Sequence, residues 1–451
     1  MKTKNQTAGR ARKGVGTLPL KITLVGMLLL SRTAETQQVI MTQPQSSTTQ
    51  SIWQQSQTNE FQVFAPEEEP GSAPQQTQPF QYGPLIAKPH LSYQFLYASG
   101  IQSSPSNHQD TAIHEFSPGI LIDIGTHWAL DYTPTLVYYE NSLFKNEFDN
   151  TVTLTGGTSY GDWVFGLSQN YSSSSSPQAE TATQTDQENY LTVLTASYAF
   201  NSKFSLDMSV DQNFSFIDNS FGSTNSASNF QDTRDWSTME WLNYTFWPRL
   251  NAGIGAGFGY VNVNIGPDQT YEQLQARVNW RATDKISFGV NAGFEDVQFL
   301  TAGAGDLLNP TFGASIQYQP FKDTQISLNA SETTSANTFS YQGSDAGVTQ
   351  GGATENTSVS CNLNQRLLEK MSLNLGVGYS EIKYTDSTSG SGGTLSGNRV
   401  DDDSYFNASL SRPFFKRGTL SVTYQYSNNS STAPGFSYSS SQIGFEIGYS
   451  Y

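Results

Sequence analysis

Charge is scarce in this chain. Lys, Arg, Asp and Glu make up 14% of its 451 residues, where an ordinary soluble domain carries about a quarter. Long apolar runs are scarce as well. Beyond the first thirty or so residues no stretch approaches the ~18 apolar residues a membrane helix needs, which excludes a helical membrane protein. Basic residues are outnumbered 23 to 39, a net charge of −16. Binding to nucleic acid needs the opposite balance, because phosphates are neutralised by Lys and Arg. The one cysteine, Cys361, has no partner for a disulfide. Its alternating neighbours Val359 and Leu363 make it a small apolar wall residue rather than a reactive thiol.

Histidine is nearly absent: His90, His108, His114 and His127 are the full set. His108 with Asp110 and His114 with Glu115 place a His/acid arrangement in or beside one loop. A hydrolase needs a nucleophile and an oriented base besides, and no later motif supplies them. The chain is therefore not expected to be an enzyme, and these side chains read as loop histidines. No cluster with metal-ligand spacing occurs, so neither a metal nor a cofactor is expected. Two acidic runs, Glu67-Glu68-Glu69 in an N-terminal linker and Asp401-Asp402-Asp403 in an expected loop, are either solvated charge or attractors of cations.

What the chain does have is aromatic and small polar side chain. Phe, Trp and Tyr reach 13%, too many for a disordered chain. With so little charge, that mixture fits a wall facing lipid outside and water inside.

The N-terminus reads as an export signal over residues 1–34. Lys2, Lys4, Arg10, Arg12, Lys13 and Lys21 form a basic region before the short apolar core Ile22 to Leu30, with small residues at Ser31, Thr33 and Ala34. Residues 35–87 are rich in Gln, Ser, Thr and Pro without periodicity and read as a disordered periplasmic arm. The arm is too short for a plug domain.

From residue 88 to 451 the pattern is period two. Ile443, Phe445, Ile447, Tyr449 and Tyr451 alternate with Gln442, Gly444, Glu446, Gly448 and Ser450, which puts the two sets on opposite faces of a strand. The same alternation recurs at Leu373–Tyr379, Phe204–Val210, Leu420–Tyr426 and Trp128–Leu136. Eight tight turns are expected near Thr126, Gly161, Ser202, Pro248, Thr283, Lys322, Glu369 and Arg417, flanked by aromatics such as Trp163, Phe200, Trp247 and Phe415. Long polar connections alternate with them, among them Ser172 to Gln187, Asp218 to Asp235, Thr333 to Glu355 and Asp386 to Asp403. Eight turns define sixteen strands. One strand near Pro89 to Ser99 and a closing strand near Ser439 to Tyr451 bring the expected total to eighteen, with sixteen as the alternative. The expected fold is an all-β, antiparallel, up-and-down transmembrane barrel roughly 35 Å across. An aqueous lumen follows, narrowed only by loops that fold inward.

Parity assigns Asp123, Asp131, Asp207, Asp211, Arg277, Arg281, Glu295, Arg366 and Glu446 to the lumen face. They either set up a field that selects solutes or pair and hydrate the wall. Tyr139 and Trp241 also face the lumen, as a sugar-sliding track or as packing. Gly253-Ile254-Gly255-Ala256-Gly257 alternates within a strand and lacks the Lys and helix of a phosphate loop; its small residues let the wall bend or pack closely.

The last strand, Gln442 to Tyr451, resembles the assembly signal of outer-membrane proteins read by the barrel-assembly machinery, with Tyr451 where Phe is usual. The layout from residue 88 onward resembles the putative β-barrel porin families of Gram-negative bacteria. That resemblance implies an outer-membrane location and passive diffusion of small hydrophilic solutes through a water-filled lumen, in a wall solvated by outer-membrane lipid. A homo-oligomer is compatible with it. The alternatives are a structural or polysaccharide-export barrel and, further off, a hydrolase or a soluble adhesin.

Overall fold

A strand that is apolar on one face and small and polar on the other needs water on one side only. The chain meets that condition by closing a single sheet on itself. The computed structural model describes residues 80–450 except 105, 179–182, 219–227, 231, 265–266, 301–305, 337–338, 342–352, 369, 386–398 and 416. The expected signal, most of the arm, the Glu67–Glu69 run and Tyr451 lie outside the described residues.

Eighteen strands form the wall: β1 Leu85–Ser104, β2 Asn107–Ile124, β3 Trp128–Tyr139, β4 Glu147–Tyr160, β5 Trp163–Gln178 and β6 Thr183–Ala199. There follow β7 Phe204–Asp218, β8 Thr233–Trp247, β9 Leu250–Val263, β10 Gln269–Thr283, β11 Ile286–Phe299 and β12 Leu307–Phe321. The last are β13 Thr324–Ala336, β14 Ala353–Leu367, β15 Met371–Thr385, β16 Val400–Phe414, β17 Gly418–Ser431 and β18 Tyr438–Ser450. Every neighbour is antiparallel, and β1 pairs with β18 from His90↔Ser450 to Ser99↔Ser441, which closes the barrel. Eighteen strands are the expected number, and the eight tight turns fall where expected. Gly125 and Gly161 take positive φ there, 66° and 60°, as such tight turns require.

The strands are longer than their apolar alternation. The Ser-rich stretch expected to be a loop continues β5 to Gln178 and returns as β6 from Thr183, paired throughout. Likewise Asp401, Asp402 and Asp403 belong to β16 rather than to a loop. The ladder needs backbone partners, not apolar side chains, so hairpins run on beyond the lipid-facing band.

The outer face carries the large apolar residues. Ile443, Phe445, Ile447 and Tyr449 of β18 are exposed on it, as are Leu91 and Tyr97 of β1 and Leu420, Val422 and Tyr424 of β17. An apolar surface of that extent has no place in water, so the wall is a membrane-spanning one. On β5 to β8 aromatic contacts gather in two bands: Trp163–Tyr198, Phe204–Tyr244 and Tyr244–Phe246 toward the short turns, Tyr171–Tyr190 and Phe214–Trp236 toward the long loops. Amphipathic rings at both ends of an apolar band are the signature of two membrane interfaces.

Gln81–Tyr82 folds back on the start of β1, and two further short strands lie outside the wall. Ser228–Phe230, between β7 and β8, pairs with Phe339–Tyr341, between β13 and β14. Six strands of eighteen separate these loops, so their pairing ties together two arcs of the loop-side rim a third of the circumference apart.

Candidate functional site

The lumen is the concave surface of this fold, and pleat parity decides which side chains reach it. All nine charges assigned to it by parity point inward in the register of the ladders. Asp123 meets Lys88 Nζ at 2.5 Å. Asp131 lies 3.1 Å from His90 Nε2 and accepts the Thr133 hydroxyl at 3.1 Å. Thr133 also approaches the same His90 nitrogen, at 3.4 Å. Acid and hydroxyl on one ring nitrogen cannot relay a proton through the ring, so this trio holds the wall rather than forming a nucleophile.

Asp207 is the centre of a denser network. Arg277 Nη2 reaches Asp207 Oδ2 at 2.5 Å and Asn243 Oδ1 at 2.7 Å, while Asn243 Nδ2 donates to Asp207 Oδ2 at 2.7 Å. The guanidinium also stands 4.4 Å over the Trp241 ring, a cation–π contact. Asp211, 1% exposed, accepts the Ser209 hydroxyl at 3.1 Å. Glu295 accepts the Gln273 amide, and Glu446 is buried within the lumen face of β18. Arg281 and Arg366 stand at the short-turn ends of β10 and β14, opposite Ser287 and Ser372. The structure therefore joins Asp207 to Arg277 and leaves the other predicted charges distributed around the wall.

Parity could have found more. Lys88, His90, Glu115, Glu147, Asp149 and Asp235 are inward-facing charged or titratable groups on β1, β2, β4 and β8; the Tyr271 hydroxyl donates to Asp235 at 3.2 Å. Glu240 is the opposite case. It stands between Met239 and Trp241, both buried on the lumen face, and so points outward.

The glycines of β9 explain how bulky lumen residues lie flat. Gly253, Gly255, Gly257 and Gly259 all face inward, and a Cβ on each would collide with Asn243, Trp241, Met239 and Tyr271 respectively. At Gly255 it would fall 2.6 Å from the indole. The expectation of close packing there is met in a particular form: side chains of β8 and β10 fold over a floor of bare backbone. Trp241 is consequently 7% exposed and offers no open face to a passing sugar.

Tyr139 is covered in a different way. Phe144, in the connection from β3 to β4, turns into the barrel and stacks on Tyr139 at 5.3 Å. It packs with Ala98, Ile101, Ile113 and Val137 on the lumen faces of β1 to β3, and is 4% exposed. The connection is pinned on both sides. Asn141 Nδ2 donates to Asp110 O at 3.1 Å; Lys145 N donates to Gln184 Oε1 at 2.8 Å, and Lys145 Nζ meets Asp186 Oδ2 at 2.8 Å. Gln184 also donates to Glu147. Neither aromatic, then, forms a sliding track.

A second inward turn lies between β17 and β18. Phe436 covers the Arg399 guanidinium at 3.9 Å, the Tyr384 ring lies 4.6 Å from it, and Asp401 completes the ion pair. Gln102 Nε2 ties this turn to β1 through Gly435 O at 3.1 Å. The aqueous lumen expected from strand count is thus lined on its loop side by two capping segments.

The remaining histidines do not converge. His114 points outward, with its ring against Tyr93, Phe95 and Tyr138 and its Nε2 3.3 Å from Glu140. Cys361 also faces outward on β14, between Val359 and Leu363. Among the described residues no group of His, Cys, Asp and Glu is arranged to hold a metal ion.

No protein-family model matches the chain, and no curated protein matches its sequence. Similar solved structures include OpdO of Pseudomonas aeruginosa, at 13% identity over 81% of this chain and 97% of that one, with a TM-score of 0.42. OccAB3 of Acinetobacter baumannii is similar at 10% identity over 81% and 99%, with a TM-score of 0.42. The outer membrane protein OpdK of Pseudomonas aeruginosa follows at 11% identity over 81% and 99%, with a TM-score of 0.43. Likenesses this slight carry no argument about what the chain does.

Proposed function

We propose that the chain is an outer-membrane channel admitting small hydrophilic solutes by passive diffusion, and that cations cross it more readily than anions. The observation that supports this is the opposition of two faces on one closed wall. The outer face is aliphatic and aromatic; the inner face is Ser, Thr, Asn, Gln and charge. Of the inward cations, Lys88, Arg277 and Arg399 are neutralised locally by Asp123, Asp207 and Asp401; Arg281 and Arg366, at the short-turn ends of β10 and β14, are outnumbered by the inward acids. Glu115, Asp149, Asp211, Asp235, Glu295 and Glu446 make no ion pair among the described residues. A lumen with that imbalance concentrates cations and repels anions.

In this reading residues 1–34 direct export, and the apolar positions Ile443, Phe445, Ile447, Tyr449 and Tyr451 present the last strand to the barrel-assembly machinery. The finished barrel then stands in outer-membrane lipid. No nucleic acid enters the scheme.

Conductance of the full chain, purified from membranes and inserted in planar bilayers, tests the proposal. Stepwise currents and a reversal potential displaced toward the cation's equilibrium potential are expected in a salt gradient. Asp211→Asn should reduce that displacement, and Arg277→Met should increase it. A folded barrel without current removes the channel reading. A current that favours anions, or selectivity that ignores both substitutions, removes the cation preference.

A further inference from the structure

The lipid-facing wall has one charge where lipid offers nothing to meet it. Glu240 lies seven residues from either end of β8, Thr233 and Trp247, and is exposed on the outer surface. Its cross-strand neighbours are Met208 and Ala256, and Leu242 precedes the girdle residues Tyr244 and Phe246 on the same face. Trp236 marks the other girdle. Glu240 therefore sits near mid-height of the apolar band, and it makes no hydrogen bond or ion pair among the described residues. Other outward charges stand near strand ends or have charged neighbours: Arg412 is two residues from Phe414, Glu272 three from Gln269 and Asp296 three from Phe299, while Glu332 on β13 interacts with Glu355 and Lys383. An ionisable side chain at mid-membrane needs a partner that is itself in the membrane.

The same side of the barrel carries the matching chemistry. Gln169 on β5, Thr192 on β6 and Gln212 on β7 also face outward, directly opposite one another in register. Thr192 donates to Gln169 Oε1 at 2.5 Å and the Gln169 amide donates to Asn170 O at 3.4 Å, which leaves its second amide hydrogen for a partner. With the short turns at one level, Gln169 is six residues up from Trp163 and Glu240 seven up from Trp247. The two stand at about the same height, three strands apart, which is roughly 19 Å around the wall at ~4.8 Å spacing and ~40° tilt. Midway between them is the directly opposed pair Leu194 and Val210, both exposed, at 48% and 41%.

We infer that this face, β5 to β8, binds a second copy of the chain about a twofold axis along the membrane normal. The axis passes through the Leu194–Val210 pair. A twofold contact is self-complementary: what stands on one side of the axis meets what stands at equal height on the other. It brings Glu240 of each copy opposite Gln169 of its partner, twice, with Leu194 and Val210 packed between. Two convex walls diverge by several ångströms at ~10 Å from their contact line. The long Glu and Gln side chains at those distances, and the short aliphatic ones at the centre, suit that shape. Each carboxylate gains an amide donor, and four strands of aromatics gain a partner surface instead of lipid. The inference rests on the wall standing in a membrane and is independent of what crosses the lumen.

The test uses the full chain in native membranes with Cys361→Ser as background. Val210→Cys should cross-link to a two-copy species on mild oxidation, and Ala314→Cys, outward on β12, should not. In mild detergent the parent chain should have the mass of two copies. Glu240→Leu and Gln169→Leu should each reduce it to one while keeping the heat-modifiable folded band, and Glu240→Gln should retain two. A one-copy or three-copy mass for the parent overturns the inference, and so does equal cross-linking at Val210 and Ala314. If a leucine variant failed to fold, the cysteine pair would still decide, since it leaves Glu240 and Gln169 in place. Single-channel currents that persist in one-copy variants would separate this interface from the channel reading.

Discussion

The lumen is lined in two ways, and the contrast shows how a barrel this wide is made narrower than its strand count. Over the arc from β15 through β18 to β4, connections turn inward and cap the wall: Phe144 on Tyr139 and its aliphatic neighbours, Phe436 on Arg399. The arc from β8 to β10 is lined differently. There the wall thickens by itself, because the glycines of β9 leave room for Trp241, Met239 and Tyr271 to lie across it. The capped arc owes its lining to connections between strands; the floored arc owes it to side chains on the strands themselves. The first should therefore be adjustable and the second fixed.

The largest expected effect is at Phe144. Phe144→Ala removes a fully packed ring from the capped arc, a loss of about 3 kcal/mol or more for a buried phenylalanine. Nothing else apolar in the connection replaces it, since neighbouring Leu143 is exposed. The segment should detach while the wall stays closed, so that single-channel conductance and its open-state noise both rise and the folded gel band persists. An unchanged conductance would mean that the cap does not limit passage, and the contrast between the arcs would lose its functional side.

Gly255→Val probes the other arc. Its Cβ meets the indole of Trp241, and overpacking of this kind costs about 1–3 kcal/mol. Trp241 must lift from the wall, and the Arg277 guanidinium over it must move as well. Because Arg277 also holds Asp207, ion selectivity should change with the packing. Thermal unfolding in detergent and reversal potential measure the two consequences. A shift in stability with no shift in selectivity would show that the indole is not what positions the ion pair.

These two arcs also mark what was legible beforehand. Period-two alternation and turn chemistry are local, and they located eighteen strands, eight tight turns and the inward placement of Asp207 and Arg277. That these two residues touch is not local: strands β8 and β9 lie between β7 and β10, and only the barrel's register brings the side chains together. The β9 glycines were visible as small residues, but which rings they admit depends on β8 and β10. The inward turn of Phe144 had no periodic signal at all, since a seven-residue connection has no face to read. Glu240 had a signal. The alternation Trp236, Thr238, Glu240, Leu242 puts it on the lipid side, where an ionisable group is costly.

The smallest expected effect sharpens the claim that the capped arc is adjustable. Lys145 fastens the inward connection to the β5–β6 hairpin through Asp186, and both groups are well exposed. Such a pair contributes well under 1 kcal/mol, so it should tune the cap rather than hold it. The Asp186 hydrogen bond, opposed by slight desolvation and reinforced by the carboxylate's charge, raises the Lys145 pKa above its ordinary value. A raised amine pKa means that the folded form binds the proton more tightly. Its contribution is therefore complete below the ordinary lysine value of about 10.4 and is lost as pH rises through the elevated one. Lys145→Ala should reproduce, at neutral pH, the small increase in open-state noise that the parent channel shows above about pH 10.5. It should also abolish that part of the pH dependence, and high salt should mimic it by screening the pair. The change should be much smaller than that of Phe144→Ala. If Lys145→Ala instead matched Phe144→Ala, the ion pair rather than the buried ring would be what keeps the segment inside the barrel.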